Sequence, residues 1–231
     1  MKLKNMADDL NGMPDRLLQA VLRHVPFDGW SAAALRAGAR DVGMEDSSVA
    51  DIFPGGPRDA IRAFSRAVDL RMVETVIGAD LEALRIHERV ALAVETRFEV
   101  LSLHREVVRR GFSFVALPQN SPLGTRLLYK TVDDIWYAVG DRSPDFSFYT
   151  KRGLLAGVVA STTLFWLDDD SEDRLETSAF LHRRLADVMK IHKARKCVET
   201  ARDRAISPLR IVREVIEMRY GRPVAGDSQV T

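Results

Sequence analysis

The sequence of 231 residues contains one cysteine, Cys197, and few aromatic residues, 7% of the total. A single cysteine cannot form an internal disulfide, and no Cys and His residues recur at the spacing of zinc ligands. The simplest interpretation of Cys197 is an unreactive thiol in a reducing compartment. The chain also lacks an excess of either charge: its net charge of +1 argues against a dedicated nucleic-acid-binding protein.

Membrane-spanning segments and catalytic signatures are missing as well. The most apolar run, 153–167, would span about 22 Å as a helix, less than the ~30 Å hydrocarbon core of a bilayer, so we expect it to be buried in protein. The five histidines form no Glu-x-x-His pair, and the chain has no P-loop, G-x-G-x-x-G or G-x-S-x-G. We therefore predict no catalytic residues, no metal site, no cofactor and no enzymatic activity.

Helical periodicity is present throughout the chain. Apolar residues recur at three- and four-residue spacing, and no stretch alternates as a strand does. The fold class is predicted to be all-α. We predict helices over 14–25, 32–42, 46–52, 58–77, 84–110 with a break near His104, 123–139, 146–167, 175–204 and 207–220.

The first helices are arranged as a helix-turn-helix. The segment Pro26 to Gly29 is predicted to end the first helix, Ser31 to cap the second and Gly43 to end it. Asp46 or Ser47 is the expected cap of a short third helix. Phe53 and Pro54 then precede the next helix, and this order resembles the TetR family.

The charges of this region do not suit DNA. The recognition segment, 44–53, carries Glu45, Asp46 and Asp51 but no lysine or arginine. DNA readers need cations for the phosphates and long polar side chains for the base edges. We therefore predict a degenerate helix-turn-helix that binds no nucleic acid and packs against the larger domain.

Short motifs occur in order between residues 105 and 189. They are LPQN at 117–120, TVD at 131–133 followed by Ile135 and Trp136, GD at 140–141, DF at 145–146, YTKR at 149–152 and LLAG at 154–157. In order and spacing they resemble the coenzyme Q biosynthesis accessory family, the ninth Coq protein. Phe148 departs from the pattern, because the family usually has tryptophan there.

This resemblance implies a homodimeric, TetR-like helical bundle that binds an isoprenoid or quinone lipid, or a phospholipid. It also implies a partner, the di-iron hydroxylase that modifies the demethoxy quinone intermediate of ubiquinone. The family's contact patch for that hydroxylase matches Asp145, Phe148 and Tyr149. The alternative for these three residues is loop capping and core packing.

A lipid-binding bundle needs an apolar cavity between helices. On one helix the candidate walls are Leu127, Leu128, Ile135 and Trp136. The candidates on the next helix are Leu154, Leu155, Val158, Val159 and Thr162. The alternative is that these residues fill the core or a dimer interface.

The last predicted helix favours contact with a membrane surface. Its apolar residues include Leu209, Val212, Val215 and Ile216, and the preceding segment 190–204 holds six lysines and arginines against two acidic residues. A basic segment followed by an amphipathic helix is typical of proteins that bind anionic bilayers. The alternative is a helix docked on its own chain or on a dimer mate.

The predicted organisation follows from these features. We expect a flexible N-terminus at 1–13, a helix-turn-helix-like region at 14–57, a lipid-binding and dimerisation domain at 58–204, the amphipathic helix at 205–220 and a flexible tail at 221–231. The protein would associate peripherally with a membrane from the bacterial cytoplasm or the mitochondrial matrix. The competing functions are a TetR-type regulator with a lipid-like effector and a scaffold that binds no lipid.

Overall fold

The structure is a computed structural model that describes residues 12–140 and 147–190, with the side chains of 147–149 left out. In those residues every regular element is a helix, which confirms the all-α prediction. The chain divides into two compact units, 1–185 and 186–231. Within the described ranges, no helix is both long enough and apolar enough to cross a membrane.

The helices follow the predicted order. They are α1 Met13–Asp28, α2 Ala32–Asp41, α3 Asp46–Ile52, α4 Pro57–Ile77, α5 Ile86–Leu101, α6 Arg105–Val115, α7 Ser121–Ala138, α8 Ser147–Asp168 and α9, which covers 175–185, with 186–190 also helical. A short 3-10 turn, Ser102–His104, separates α5 from α6, where the break was predicted.

Three predicted helix boundaries or caps differ in the structure, and one of them is the end of α6, which lies at Val115 and not at 110. Helix α1 continues through Pro26 to Asp28, because the real stop is Gly29, whose φ of 65° favours glycine and whose N–H donates to the Val25 carbonyl. Proline in this last turn leaves one carbonyl without its helical donor but has a helical φ, so the helix persists. Helix α3 is preceded by Glu45 and has no side-chain cap, so neither Asp46 nor Ser47 caps it.

The second helix begins and ends as predicted, and it packs very closely on the first. The Ser31 hydroxyl accepts from the Ala34 N–H at 3.2 Å, and Gly43 has a φ of 71°. At Gly38 a Cβ atom would lie 2.7 Å from the backbone nitrogen of Val21. Glycine is therefore required at this contact between α1 and α2, because any side chain at position 38 would collide with Val21.

The C-terminal end of α8 is held by α6. The Arg105 guanidinium donates to the carbonyls of Leu167 and Asp169, each at 2.8 Å, and Arg109 donates to the Leu167 carbonyl as well. These arginines satisfy backbone carbonyls that a helix end leaves without partners.

Asp169, in the loop after α8, caps the next helix. Its carboxylate accepts from the Thr177 N–H at 2.8 Å and from the Ser171 N–H at 2.9 Å, and the Thr177 hydroxyl donates to it too. Burial raises the pKa of Asp169, but these hydrogen bonds lower it by more, so that the pKa falls from the ordinary 3.8 to about 2. The Asp169 carboxylate therefore stabilises the start of α9.

The lowered pKa of Asp169 makes the stability of the fold depend on pH in the acidic range. Because the pKa of Asp169 is lower in the folded chain, its contribution is fully present above pH 3.8 and is lost as the pH falls to about 2. We expect Asp169→Asn to lower the free energy of unfolding at pH 7 by about 1–3 kcal/mol and to reduce the further loss between these two pH values. Urea unfolding followed by circular dichroism at a series of pH values measures both.

Asp170→Asn is the control for this prediction. Asp170 is the adjacent carboxylate, its side chain is 90% exposed, and it contacts Arg105 at 3.1 Å. An exposed ion pair contributes little, so this variant should follow the parent curve. Superimposable pH curves for Asp169→Asn and the parent protein would contradict the capping role.

Candidate binding cavity

An apolar cavity of about 370 Å³ lies among α4, α5, α6, α7 and α8. All five helices contribute side chains, and the loop between α1 and α2 adds Trp30. The apolar lining residues include Trp30, Ile61, Phe64, Leu101, Val107, Phe112, Val115, Leu127, Leu128 and Val159. This volume is at the low end of the ~300–1,000 Å³ of pockets that bind small molecules.

Aromatic rings form the wall near the helix-turn-helix. The indole N–H of Trp30 donates to the Val107 carbonyl at 3.2 Å, and its ring lies 5.8 Å from that of Phe64. His104 contacts the other side of Phe64 edge-on at 5.7 Å, and burial lowers the pKa of His104. The histidine is therefore neutral at neutral pH, and it adds no charge beside Phe64.

The cavity reaches the surface between α6 and α7. Its lining residues from these helices are mostly half-buried, and Ser121 and Thr125 are exposed, whereas Leu101 and Val107 at the inner end are buried. Gly124 lets the two helices approach closely, because a Cβ there would lie 2.9 Å from the Cβ of Val115. The gap between α6 and α7 is thus narrow beside Gly124.

The LPQN motif fixes the loop between α6 and α7 beside this opening. The buried amide of Asn120 accepts from Nε of Arg58 at 2.9 Å and donates to the Phe114 carbonyl at 3.0 Å. Arg58 also donates to the Gln119 carbonyl. One side chain therefore joins the start of α4, the end of α6 and the start of α7, which explains why an amide is needed there.

A buried polar cluster lies at the inner side of the cavity. Asp69 on α4 is 1% exposed, and its carboxylate accepts from Nε of Arg97 and from the hydroxyl of Thr131, both at 2.9 Å. Arg97 and Thr131 also line the cavity. Sequence reasoning missed this cluster, although one signal was available: Asp69 falls on the apolar face of α4, next to Val68, with Met72 one turn later and Val76 two turns later.

The predicted lipid-binding residues are only partly brought together. Leu127, Leu128 and Val159 line the cavity. Outside this lining, Ile135, Leu155, Val158 and Thr162 are buried, whereas Trp136 and Leu154 are half-buried. On α8 the lining residues are Val159, Ala160 and Thr163, so the cavity-facing side lies one residue, or about 100°, around the helix from the predicted one.

Two further motifs tie α7 to the start of α8. The Asp133 carboxylate accepts from Nε of Arg152 at 2.5 Å, and Nζ of Lys151 lies 5.9 Å from the centre of the Trp136 ring. The TVD and YTKR motifs therefore lie in contact.

Of the predicted partner-binding residues, Phe148 and Tyr149 belong to the first turn of α8. Their side chains, and the whole of Asp145, lie outside the described residues.

Other predicted features can be placed briefly. Glu45, Asp46 and Asp51 are all exposed around α3, so the surface of the recognition segment is acidic. Within the described ranges, no group of three or more His, Cys, Asp or Glu residues is arranged to hold a metal ion. The predicted membrane-binding residues Leu209, Val212, Val215 and Ile216 lie outside the described residues.

Comparison with known proteins agrees with the motifs. The COQ9 family model matches residues 121–192. Ubiquinone biosynthesis protein COQ9 of Bos taurus is 32% identical over 201 residues, covering 84% of this chain and 63% of the bovine protein. COQ9-B of Xenopus laevis is 30% identical over 205 residues, covering 85% of this chain and 69% of that protein.

The chain belongs to the COQ9 family. This confirms the resemblance inferred from the dispersed motifs. The human COQ9 protein is likewise 32% identical over 201 residues. These relatives are named as mitochondrial proteins, and this COQ9-family chain spans 63% of the length of the human and bovine proteins.

The fold of this COQ9-family chain is that of TetR proteins, as predicted. A TetR transcriptional regulator from Nitrosomonas europaea superimposes with a TM-score of 0.62, covering 75% of this chain and 96% of the regulator. The two sequences are 20% identical, so the comparison shows the fold alone.

Proposed function

We propose that this COQ9-family chain is a non-enzymatic accessory protein of ubiquinone biosynthesis. It binds a polyprenyl quinone intermediate and presents it to the di-iron hydroxylase that acts on demethoxyubiquinone. The observation that carries the proposal is the apolar cavity among α4 to α8, which opens between α6 and α7. The names of the relatives supply the pathway.

The size of the cavity limits what it encloses. About 370 Å³ accommodates a head group and the beginning of a chain. A long polyprenyl tail is strongly disfavoured in water. The tail therefore extends from the opening, and the protein works on a membrane surface, peripherally bound from the mitochondrial matrix or the bacterial cytoplasm through Leu209, Val212, Val215 and Ile216.

The proposed hydroxylase contact is next to the helix that lines the cavity. Asp133 and Trp136 on α7 contact Arg152 and Lys151, only two or three residues after Tyr149. Five residues before Asp133 on α7, Leu128 lines the cavity. The start of α8, which carries Phe148 and Tyr149, therefore contacts the same helix that lines the cavity, and this arrangement suits a protein that transfers its ligand to a partner.

The exposed side of α8 supports a homodimer. Gly153 and Gly157 are exposed, and a Cβ built at either would meet nothing within 4 Å. Two to three turns later on the same side of the helix, Leu164 is 52% exposed. Small residues beside an exposed leucine allow a second copy of α8 to approach closely.

The regulator alternative is disfavoured by the acidic surface around α3. Glu45, Asp46 and Asp51 would repel DNA phosphates, and the α3 segment contains no cation. The scaffold alternative differs in a measurable way, because it requires no bound lipid.

The first prediction concerns bound lipid. Mass spectrometry of an organic extract of the purified protein should find a quinone or isoprenoid near one molecule per chain, and a delipidated sample should lack it. Leu128→Trp fills the opening of the cavity with a larger ring, so it should lose most of this lipid while its thermal unfolding is unchanged. Leu103→Trp is the control, because Leu103 is 71% exposed and outside the lining.

Each failure of this experiment has a distinct meaning. Empty protein that still purifies with the hydroxylase would replace the carrier with the scaffold. Protein that contains no lipid and does not bind the hydroxylase would favour the transcriptional-regulator alternative.

The second prediction concerns the hydroxylase. Tyr149→Ala should weaken binding to the hydroxylase about ten-fold or more, because truncating a central interface aromatic often costs 2 kcal/mol or more. Its thermal stability should stay that of the parent. The control is Tyr137→Ala, which removes a tyrosine on α7 that is 70% exposed. If Tyr149→Ala fails to fold, the packing interpretation of Tyr149 is favoured instead.

The third prediction concerns the membrane. Ending the chain at Arg204 removes the predicted amphipathic helix, so co-sedimentation with anionic vesicles should fall while the circular dichroism melting curve keeps its midpoint. Zwitterionic vesicles, which lack the attraction for the basic segment 190–204, should bind weakly in both cases. Equal binding of the full and shortened chains to anionic vesicles would remove the membrane role of this helix.

A further inference from the structure

The polar side chains that line the cavity divide into two classes. Four hydroxyls already donate to the protein: Ser121 to the Pro118 carbonyl, Thr125 to Ser121, Thr131 to Asp69 and Thr163 to Val159. Ser65 has no hydrogen-bond partner among the described residues, and Arg97 donates there only through Nε. The Ser65 hydroxyl and the Nη groups of Arg97 therefore remain as unused donors.

These donors belong to the same end of the cavity. Ser65 and Asp69 are four residues apart on α4, so they share a face of that helix. Asp69 is bonded to Arg97 at 2.9 Å. The Arg97 side chain is 13% exposed and lines the cavity, so its remaining Nη donors are available there.

Asp69 and Thr131 set the direction of the guanidinium. A guanidinium is planar and carries five donors in a fixed fork. With Nε bonded to Asp69, the orientation of the Nη donors follows from that plane. Asp69 and Thr131 are thus positioning residues, and Arg97 and Ser65 are the groups with donors left for a ligand.

The charge of the cluster selects the ligand. Among the described residues of the lining, Arg97 is the only charged one, and Asp69, which is 1% exposed, balances it. A phosphorylated head group would bring a negative charge that nothing in the lining compensates, and an uncompensated charge in an apolar cavity is costly. A neutral head group with acceptor oxygens can accept hydrogen bonds from the unused donors of Ser65 and Arg97 without adding charge.

We propose that Arg97 and Ser65 bind the head of a neutral lipid through its carbonyl or ether oxygens, and that the cavity excludes phosphorylated prenyl lipids. This inference rests on the proposed lipid-binding function and specifies the chemical class of its ligand. A quinone ring with oxygen substituents has the required acceptors.

The test compares three ligands with the same tail of two isoprene units: a substituted benzoquinone, a hydrocarbon and a diphosphate. Calorimetry in one detergent should show the quinone binding the full-length protein about ten-fold more tightly than the hydrocarbon, the gain expected from about one hydrogen bond to a charged donor. The diphosphate should bind more weakly than the quinone.

Three variants test which side chains produce the preference for the quinone over the hydrocarbon. Ser65→Ala, which breaks no hydrogen bond within the described residues, and Arg97→Lys, which keeps a cation beside Asp69, should each reduce the preference for the quinone over the hydrocarbon. Affinity for the hydrocarbon should stay constant. Thr125→Val is the matched control, because its hydroxyl lines the cavity but already donates to Ser121, and it should keep the parent preference.

The contrary results are distinguishable. Equal affinity for quinone and hydrocarbon in the parent protein would overturn the head-group inference while leaving lipid binding in place. A diphosphate that binds more tightly than the quinone would overturn the choice of a neutral ligand. If none of the three binds, the proposed lipid-binding function fails together with this inference. If Arg97→Lys does not fold, Ser65→Ala alone still decides the role of the donors.

Discussion

A single buried carboxylate, Asp69, joins three of the helices that surround the cavity. It accepts hydrogen bonds from Arg97 on α5 and Thr131 on α7, while its own helix is α4. A carboxylate with 1% exposure is tolerated only when its partners are in place. These directional bonds hold the helices at fixed positions, so the apolar walls between them remain apart and leave space for a ligand.

Much of the fold follows from local patterns in the sequence. The Ser31 cap, the end of α2 before Gly43 and the break at Ser102–His104 depend on residues close together in the chain, and each was predicted. The end of α1 was not predicted, because proline in a last turn costs little when a glycine stops the helix three residues later.

The site was less predictable because it depends on distant residues. Arg97 is 28 residues from Asp69, and no periodicity shows which cation will neutralise an acid on an apolar face. The apolar face of α7 was identified correctly, but its buried residues divide between the cavity, at Leu128, and the core, at Ile135. On α8, apolar residues cover most of the circumference, so the sequence has no marker for which side meets the cavity.

Trp30 has a consequence for how such a protein can change over evolution. It lies between the first two helices of the helix-turn-helix, yet it forms part of the cavity wall and bonds to Val107 on α6. Substitutions on the outer surface around α3 leave that wall intact, so the charge of this surface can change without altering the cavity. Deleting the first helices would, in contrast, remove Trp30 and open the cavity on that side.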